Sequence, residues 1–90
     1  MIRVHPRVHD RHPNVSDDDA IHAWRNAIVI KLFDTDESGE RLRAVGPDQK
    51  GRMLEMTAVE LANGDVFIFH AMTPPAKKTY KELGIGKGLR

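Results

Sequence analysis

The clearest pattern of hydrophobic and polar positions lies in "LEMTAVELANGDVFIFHAM", residues 54–72. Its branched and aromatic residues predict two β-strands, over residues 52–62 and 65–72. Asn63 and Gly64 separate the two strands. A two-residue Asn-Gly loop favours a type I′ turn, because both of its residues then need a positive φ. The pattern therefore predicts a tight β-hairpin.

A two-residue loop also sets the register of this hairpin, with Val59 opposite Ile68 and Thr57 opposite His70. Side chains alternate across a sheet, so the hairpin has two faces. We expect one face to be apolar and to pack on the helices, and the other to be mixed and open. The apolar face comprises Leu54, Met56, Ala58, Phe67, Phe69 and Ala71. The mixed face comprises Met53, Glu55, Thr57, Val59, Val66, Ile68, His70 and Met72.

The other elements follow from capping residues, prolines and periodicity. Ser16 and the three aspartates after it are typical of a helix start. The predicted helices cover residues 6–12, 16–26 and 75–83, the further strands cover 27–33 and 41–46, and the loops cover 34–40 and 47–51. This order predicts a single α+β domain with two N-terminal helices, a four-stranded, mainly antiparallel sheet and a short C-terminal helix. We expect residues 1–4 and 85–90 to be flexible.

Composition narrows the class of protein. The chain has 90 residues, 40% of them hydrophobic, which suffices for one small domain with a modest core. It has no cysteine, so disulfides and thiolate chemistry are excluded within it. No apolar run approaches the roughly 20 residues that span a bilayer, and no signal-peptide pattern is present. We expect a cytoplasmic protein without membrane contact. The net charge of +1 does not by itself indicate a nucleic-acid binder.

The mixed face carries the most chemistry. Arg41 and Arg43 alternate with apolar residues in the preceding strand and can join Glu55 and His70 there. An imidazole beside a carboxylate works as an acid or base near neutral pH, and arginines bind phosphate through paired hydrogen bonds. This set suits cleavage of a ribose phosphodiester without a metal. The alternative is a solvated face of cross-strand Arg–Glu pairs, each contributing about 0.2–1 kcal/mol.

Three other groups of residues each allow two interpretations. His5, His9 and His12 share one helical face, a spacing that can hold zinc. Packing histidines on a short helix are the favoured alternative, so we predict no metal and no cofactor, and His12 becomes an RNA contact. Arg52, at a strand start, forms either a salt bridge at the rim or an RNA contact. The basic C-terminal run is either a solvated helix face or a site for phosphate or a protein partner; it comprises Lys77, Lys78, Tyr80 and Lys81.

Four short segments occur in the order of a known family. They are "RHPNVSDDDA", "VGPDQKGRML", "HAM" at residues 70–72, and "KKTYKEL". Together they resemble the BrnT group of bacterial toxins and related small RelE-like domains, whose third segment ends in S-A-R. Here His70 replaces the serine and Met72 replaces the arginine. The resemblance spans residues 5–83 and implies a RelE-like fold, an RNA-cleaving toxin of a type II toxin–antitoxin system, and a protein antitoxin.

These observations lead to a first hypothesis, a metal-independent endoribonuclease. In it, His70 exchanges protons with the RNA, Glu55 orients His70 or acts as partner base, and Arg43 holds the phosphate. The expected RNA-binding residues are Arg41, Arg52, Lys77, Lys78, Tyr80 and His12. The alternative is a non-catalytic RelE-like module that binds protein or RNA, including as a homodimer, and Met72 favours it. A zinc-binding domain is the third hypothesis.

Overall fold

A computed structural model describes residues 1–36 and 39–85 of the chain. Within them are three short helices, and a side chain caps the start of the first two, His5 for α1 and Ser16 for α2. Their bounds are α1, Pro6–Arg11; α2, Asp17–Arg25; and α3, Lys77–Glu82. At the start of α2, the hydroxyl of Ser16 accepts a hydrogen bond from the Asp19 amide, and the Asp19 carboxylate accepts one from the Ser16 amide. This capping box confirms the helix start that the sequence predicts.

The described residues contain five strands in one mixed sheet, so the prediction of four is wrong. The strands are β1, Ile2–Val4; β2, Val29–Asp36; β3, Gly39–Pro47; β4, Met53–Glu60; and β5, Val66–Met72. Strands β2 to β5 form an antiparallel meander, β1 pairs in parallel with β5, and the order is β1-β5-β4-β3-β2. Strand β1 comes from residues 1–4, which we expected to be flexible. The sequence did not indicate this strand, because three residues are too few to show a periodic pattern. The four-stranded RelE-like layout is therefore not confirmed.

The predicted loop over residues 34–40 is shorter than expected. Strand β2 continues to Asp36 and β3 already begins at Gly39, while residues 37–38 lie outside the described residues. Most of the predicted C-terminal tail, residues 86–90, also lies outside them. The predicted turn over residues 47–51 is present, and the Asp48 carboxylate closes it by accepting a hydrogen bond from the Arg52 amide at 2.8 Å.

The hydrophobic core lies between one face of the sheet and helices α1 and α2. Its largest fully buried members are Leu54, Met56, Ile68, Val8 and Val15. Strand β3 passes close beneath α2 at Gly46, where an added Cβ would lie 2.2 Å from the Ala23 carbonyl oxygen. Only glycine permits this approach, so the sheet and α2 can come together at this point.

Strand β5 contains a β-bulge that changes which residues face the core. Ala58 pairs with Ile68 and Thr57 pairs with His70, so Phe69 is the extra residue. A one-residue shift moves side chains to the opposite face. Ile68 is therefore fully buried and Phe67 is exposed, which reverses the predicted faces over this part of the strand.

The hairpin turn also differs from the expected type I′ turn. Gly64 has a φ of +91°, and no described residue other than glycine has a positive φ, so Asn63 cannot supply one. The Leu61 amide donates to the Asp65 carbonyl oxygen at 2.8 Å, which makes a three-residue loop over residues 62–64. Such loops commonly end with a residue in the left-handed region, the position that Gly64 occupies.

Helix α3 packs on the second face of the sheet, which we expected to be open. Glu55 lies between the core residues Leu54 and Met56 and therefore points away from α1 and α2. Its carboxylate accepts hydrogen bonds from the Ala76 amide and from the Thr79 hydroxyl, each at 2.7 Å. These bonds attach α3 to the sheet, and the part of this face beside the helix becomes a cleft.

Candidate functional site

The centre of the candidate site is a contact between the side chains of Glu55 and His70. Strand pairing places His70 opposite Thr57 and Glu55 opposite Met72, as the sequence predicts. On this shared face the Nε2 atom of His70 lies 2.8 Å from a carboxylate oxygen of Glu55. The side chain of His70 is partly exposed, at 30%, whereas Glu55 is buried. The imidazole therefore faces the cleft and the carboxylate lies behind it.

Hydrogen bonding determines the ionisation of Glu55. Burial by itself raises the pKa of this carboxyl group. Hydrogen bonds from His70, the Ala76 amide and the Thr79 hydroxyl outweigh the burial and lower the pKa from 4.5 to about 2. Glu55 is therefore an anion near neutral pH and accepts hydrogen bonds only. It follows that Nε2–H of His70 donates to Glu55, and that this carboxylate leaves Nδ1 unoccupied.

The same result bears on the two roles expected for Glu55. A carboxylate with so low a pKa is a weak base near neutral pH. Its hydrogen bond to Nε2 instead orients the imidazole, as the carboxylate does in other acid–histidine pairs. The geometry favours the orienting role.

The pair opens into a cleft with a volume of about 570 Å³. Its cationic side chains come from three separate elements: Arg7 from α1, Arg41 and Arg43 from β3, and Lys78 from α3. This concentration of positive charge contrasts with the chain's net charge of +1. A groove lined by several cations attracts polyanions such as nucleic-acid backbones. The apolar residues of the lining are Phe33, Phe69, Met72 and Ala76.

Arg43 already has partners within the chain. Its guanidinium forms a salt bridge with the Glu82 carboxylate of α3 and lies 4.8 Å from the centre of the Phe33 ring. The Lys31 ammonium donates to the Glu82 carbonyl oxygen at 3.1 Å. These contacts hold the end of α3 against β2 and β3, so Arg43 contributes to the wall of the cleft as well as to its charge.

Among the other predicted RNA-binding residues, only some reach this cleft. Lys78 lines it, whereas Lys77 and Tyr80 lie elsewhere on α3. The His12 ring contacts His70 in an edge-to-face arrangement, with ring centres 5.8 Å apart. His12 is therefore next to the site, in contact with its imidazole.

Arg52 occupies a separate salt-bridge network. Its guanidinium lies 2.7 Å from a carboxylate oxygen of Asp48 and 3.1 Å from one of Asp19. Both carboxylates are buried, and burial raises their pKa values, but hydrogen bonds and the neighbouring cations lower them overall. Arg52 thus connects the turn before β4 to the start of α2. The sequence allowed either a salt bridge or an RNA contact for Arg52. The structure shows the salt bridge.

The three histidines with zinc-like spacing do not share a common site. Nδ1 of His5 accepts a hydrogen bond from the Arg7 amide at 3.0 Å, and Nδ1 of His9 lies 3.3 Å from the Val15 carbonyl oxygen. His12 contacts His70 instead. Within residues 1–36 and 39–85, no group of three or more histidine, aspartate or glutamate residues is arranged to hold a metal ion.

The cleft also contains three residues that were not among the predicted site residues, namely Arg7, Phe33 and Thr79. Arg7 was within the segment considered for zinc, and its sequence neighbours give no sign that α1 approaches β5. Thr79 is a buried residue of α3, and its hydroxyl donates a hydrogen bond to Glu55. The sequence signal for Thr79 was a hydroxyl residue in the middle of a short basic helix. If that hydroxyl is buried, it needs a hydrogen-bond partner such as a carboxylate.

Comparisons of the chain with protein-family models, with curated proteins and with solved structures find no match in any of the three. The resemblance to BrnT-like toxins therefore stays a prediction. In the part of the chain that the structure describes, no helix is long and apolar enough to cross a membrane.

Proposed function

We propose that the cleft binds the phosphate backbone of RNA and cleaves it as a metal-independent endoribonuclease. The observation that supports this proposal is the His70–Glu55 pair at a cleft lined by four cationic side chains. RNA carries both the phosphate that such cations bind and the 2′-hydroxyl that an imidazole can deprotonate. An acid–base group beside a cationic cleft is suited to this chemistry.

In the proposed reaction, Nδ1 of His70 takes the proton of a ribose 2′-hydroxyl. The 2′-oxygen attacks the adjacent phosphorus, and the bond from phosphorus to the 5′-oxygen of the next nucleotide breaks. The products are a 2′,3′-cyclic phosphate and a 5′-hydroxyl, whose proton comes from the protonated imidazole or from water. Arg7, Arg41 and Lys78 stabilise the charge that develops on the phosphate, and Glu55 orients the His70 ring through its contact with Nε2.

Arg7 offers a substitute for the arginine that BrnT-like chains have at the position of Met72. BrnT-like chains have an arginine where this chain has Met72, and both Met72 and Arg7 line the cleft. We infer that Arg7 supplies the guanidinium from α1 that Met72 cannot supply from β5. With it, the chain would act as a BrnT-like toxin in the cytoplasm, neutralised by an antitoxin protein that covers the cationic cleft.

Cleavage of a labelled RNA in the presence of a chelator tests the catalytic proposal. We expect the wild type to release fragments ending in cyclic phosphate, and His70→Ala to lose at least a hundredfold in rate, the lower range for removal of a general acid–base group. His9→Ala is the matched control, because this exposed histidine lies outside the cleft lining. Equal rates for His70→Ala and wild type would remove His70 from the mechanism.

A second candidate function is RNA binding without cleavage. The salt bridge between Arg43 and Glu82 favours it, because it neutralises one of the cations expected to act on the phosphate. Under this alternative, wild type and His70→Ala bind RNA equally and neither cleaves it. Arg7→Ala should then weaken binding for all sequences and reduce the slope of log affinity against log salt by about 1.

A further inference from the structure

Phenylalanines occupy the extra positions of two β-bulges in the sheet. In β2 the pairing with β3 passes from Leu32 directly to Asp34, so Phe33 is the extra residue. In β5 the extra residue is Phe69. Bulges redirect side chains and are common beside functional sites. Here both phenylalanine rings line the cleft.

Both rings are accessible from the cleft. Phe33 is 47% exposed, although the Arg43 guanidinium lies over its ring, 4.8 Å from the centre. Phe69 is partly exposed beside His70, whereas Ile68 before it is fully buried. An aromatic face that is open to a charged cleft offers a surface on which a planar group can stack.

The two rings stand on opposite sides of the cationic groups of β3. One ring is on β5 and the other is on β2, with β4 and β3 between them. Both follow residues of one row across the sheet, which runs from Leu32 through Leu42 and Ala58 to Ile68. Three strand spacings, about 14 Å, separate the two strands. The arginines of β3 lie within this span and line the same cleft.

We propose that the cleft takes single-stranded RNA, and that Phe33 and Phe69 stack on bases to either side of the bound phosphate. This proposal rests on the function proposed above, because phosphate binding by the cations brings the bases to the rings. Bases of a single strand can be splayed out and stacked on aromatic side chains, whereas bases of a duplex are already paired and stacked on one another. Rings on two strands about 14 Å apart suit splayed bases.

The rings supply a selection that the cations do not. Contacts to phosphate position a nucleic acid without reading its bases, so the cations serve single strands and duplexes alike. Splaying the bases also favours the proposed reaction. The 2′-oxygen must approach phosphorus from the side opposite the departing 5′-oxygen, and a strand held out of the helical form can adopt that alignment.

Fluorescence anisotropy with three labelled probes tests the proposal on the wild type. The first probe is single-stranded 2′-O-methyl oligouridylate, which lacks the 2′-hydroxyl and is not cleaved. The second is its duplex with 2′-O-methyl oligoadenylate, and the third is a strand of equal length without bases. We expect the single strand to bind at least tenfold more tightly than the strand without bases, which has the same phosphates. It should also bind more tightly than the duplex, which carries more charge.

Phe33→Leu and Phe69→Leu keep an apolar side chain but remove the aromatic face. Each should weaken binding of the single strand about five- to hundredfold, the range for loss of one base–aromatic contact, and leave binding of the strand without bases unchanged. Phe33→Tyr keeps the ring and should bind like the wild type. Phe67→Leu is the matched control, because Phe67 is exposed on β5 outside the cleft lining. Circular dichroism establishes that each variant is folded.

The outcomes distinguish base stacking from phosphate binding. Equal affinity of the wild type for the single strand and the strand without bases would overturn the stacking proposal, and so would leucine variants that bind like the wild type. In either case, weaker binding by Arg7→Ala would still support phosphate binding in the cleft. A wild type that binds none of the three probes would overturn the proposed function, and the stacking proposal with it.

Discussion

Replacing Glu55 with glutamine removes one buried charge while keeping the shape of the side chain. In the folded protein, three hydrogen bonds hold this carboxylate ionised with a pKa of about 2, compared with an ordinary value of 4.5. A difference of about 2.5 pKa units corresponds to about 3 kcal/mol of preference for the ionised form. Glutamine keeps one oxygen as an acceptor for the Ala76 amide and Thr79. We therefore expect Glu55→Gln to lower the free energy of unfolding by about 1–3 kcal/mol at neutral pH.

The effect should depend on pH in a defined direction. The pKa of Glu55 is lower in the folded protein than in the unfolded chain, so the unfolded chain takes up the proton first as the pH falls. The stabilisation by Glu55 is complete above about pH 4.5 and is lost as the pH falls from about 4.5 to about 2. In acid the protonated carboxyl resembles glutamine, and the difference between wild type and variant should disappear.

Urea denaturation followed by circular dichroism, repeated at several pH values, measures this difference. Glu60→Gln is the matched control, since it makes the same chemical change near the other end of β4. It should alter the free energy of unfolding by less than about 0.5 kcal/mol. A Glu55→Gln variant as stable as the wild type at neutral pH, or one whose loss of stability persists unchanged in acid, would contradict this role of Glu55.

Three further substitutions test other contacts in the fold. Arg52→Ala should cost about 2 kcal/mol in urea denaturation, because it leaves the buried carboxylate of Asp48 without its guanidinium, whereas exposed Lys50→Ala should cost less than about 1 kcal/mol. Gly46→Ala should lower the melting temperature by more than either, since the new methyl group would collide with the backbone of α2. Ser16→Ala should cost about 1 kcal/mol through loss of the capping box, and Ser16→Asp should retain most of the stability.

Local sequence signals were sufficient for the elements whose causes are local. Ser16 and the aspartates after it begin α2 by a hydrogen-bonded capping box that involves only neighbouring residues. The alternation of apolar side chains likewise located β4 and β5. The pairing of Thr57 with His70 was also predicted correctly, although the turn was not. The loop has one more residue than expected and the bulge in β5 adds one more, so the two changes offset each other beyond the bulge.

Tertiary structure decided the features that join distant segments. The bulge at Phe69 exchanges the buried and exposed residues nearest the turn, and a periodic pattern cannot reveal a single inserted residue whose cost is set by packing. The pairing of β1 with β5 and the docking of α3 on Glu55 likewise depend on contacts between the two ends of the chain. The sequence thus determined which residues can do chemistry. Only folding buried Glu55 behind His70 and brought Arg7 to the same cleft, because burial and proximity are properties of the assembled sheet and helices.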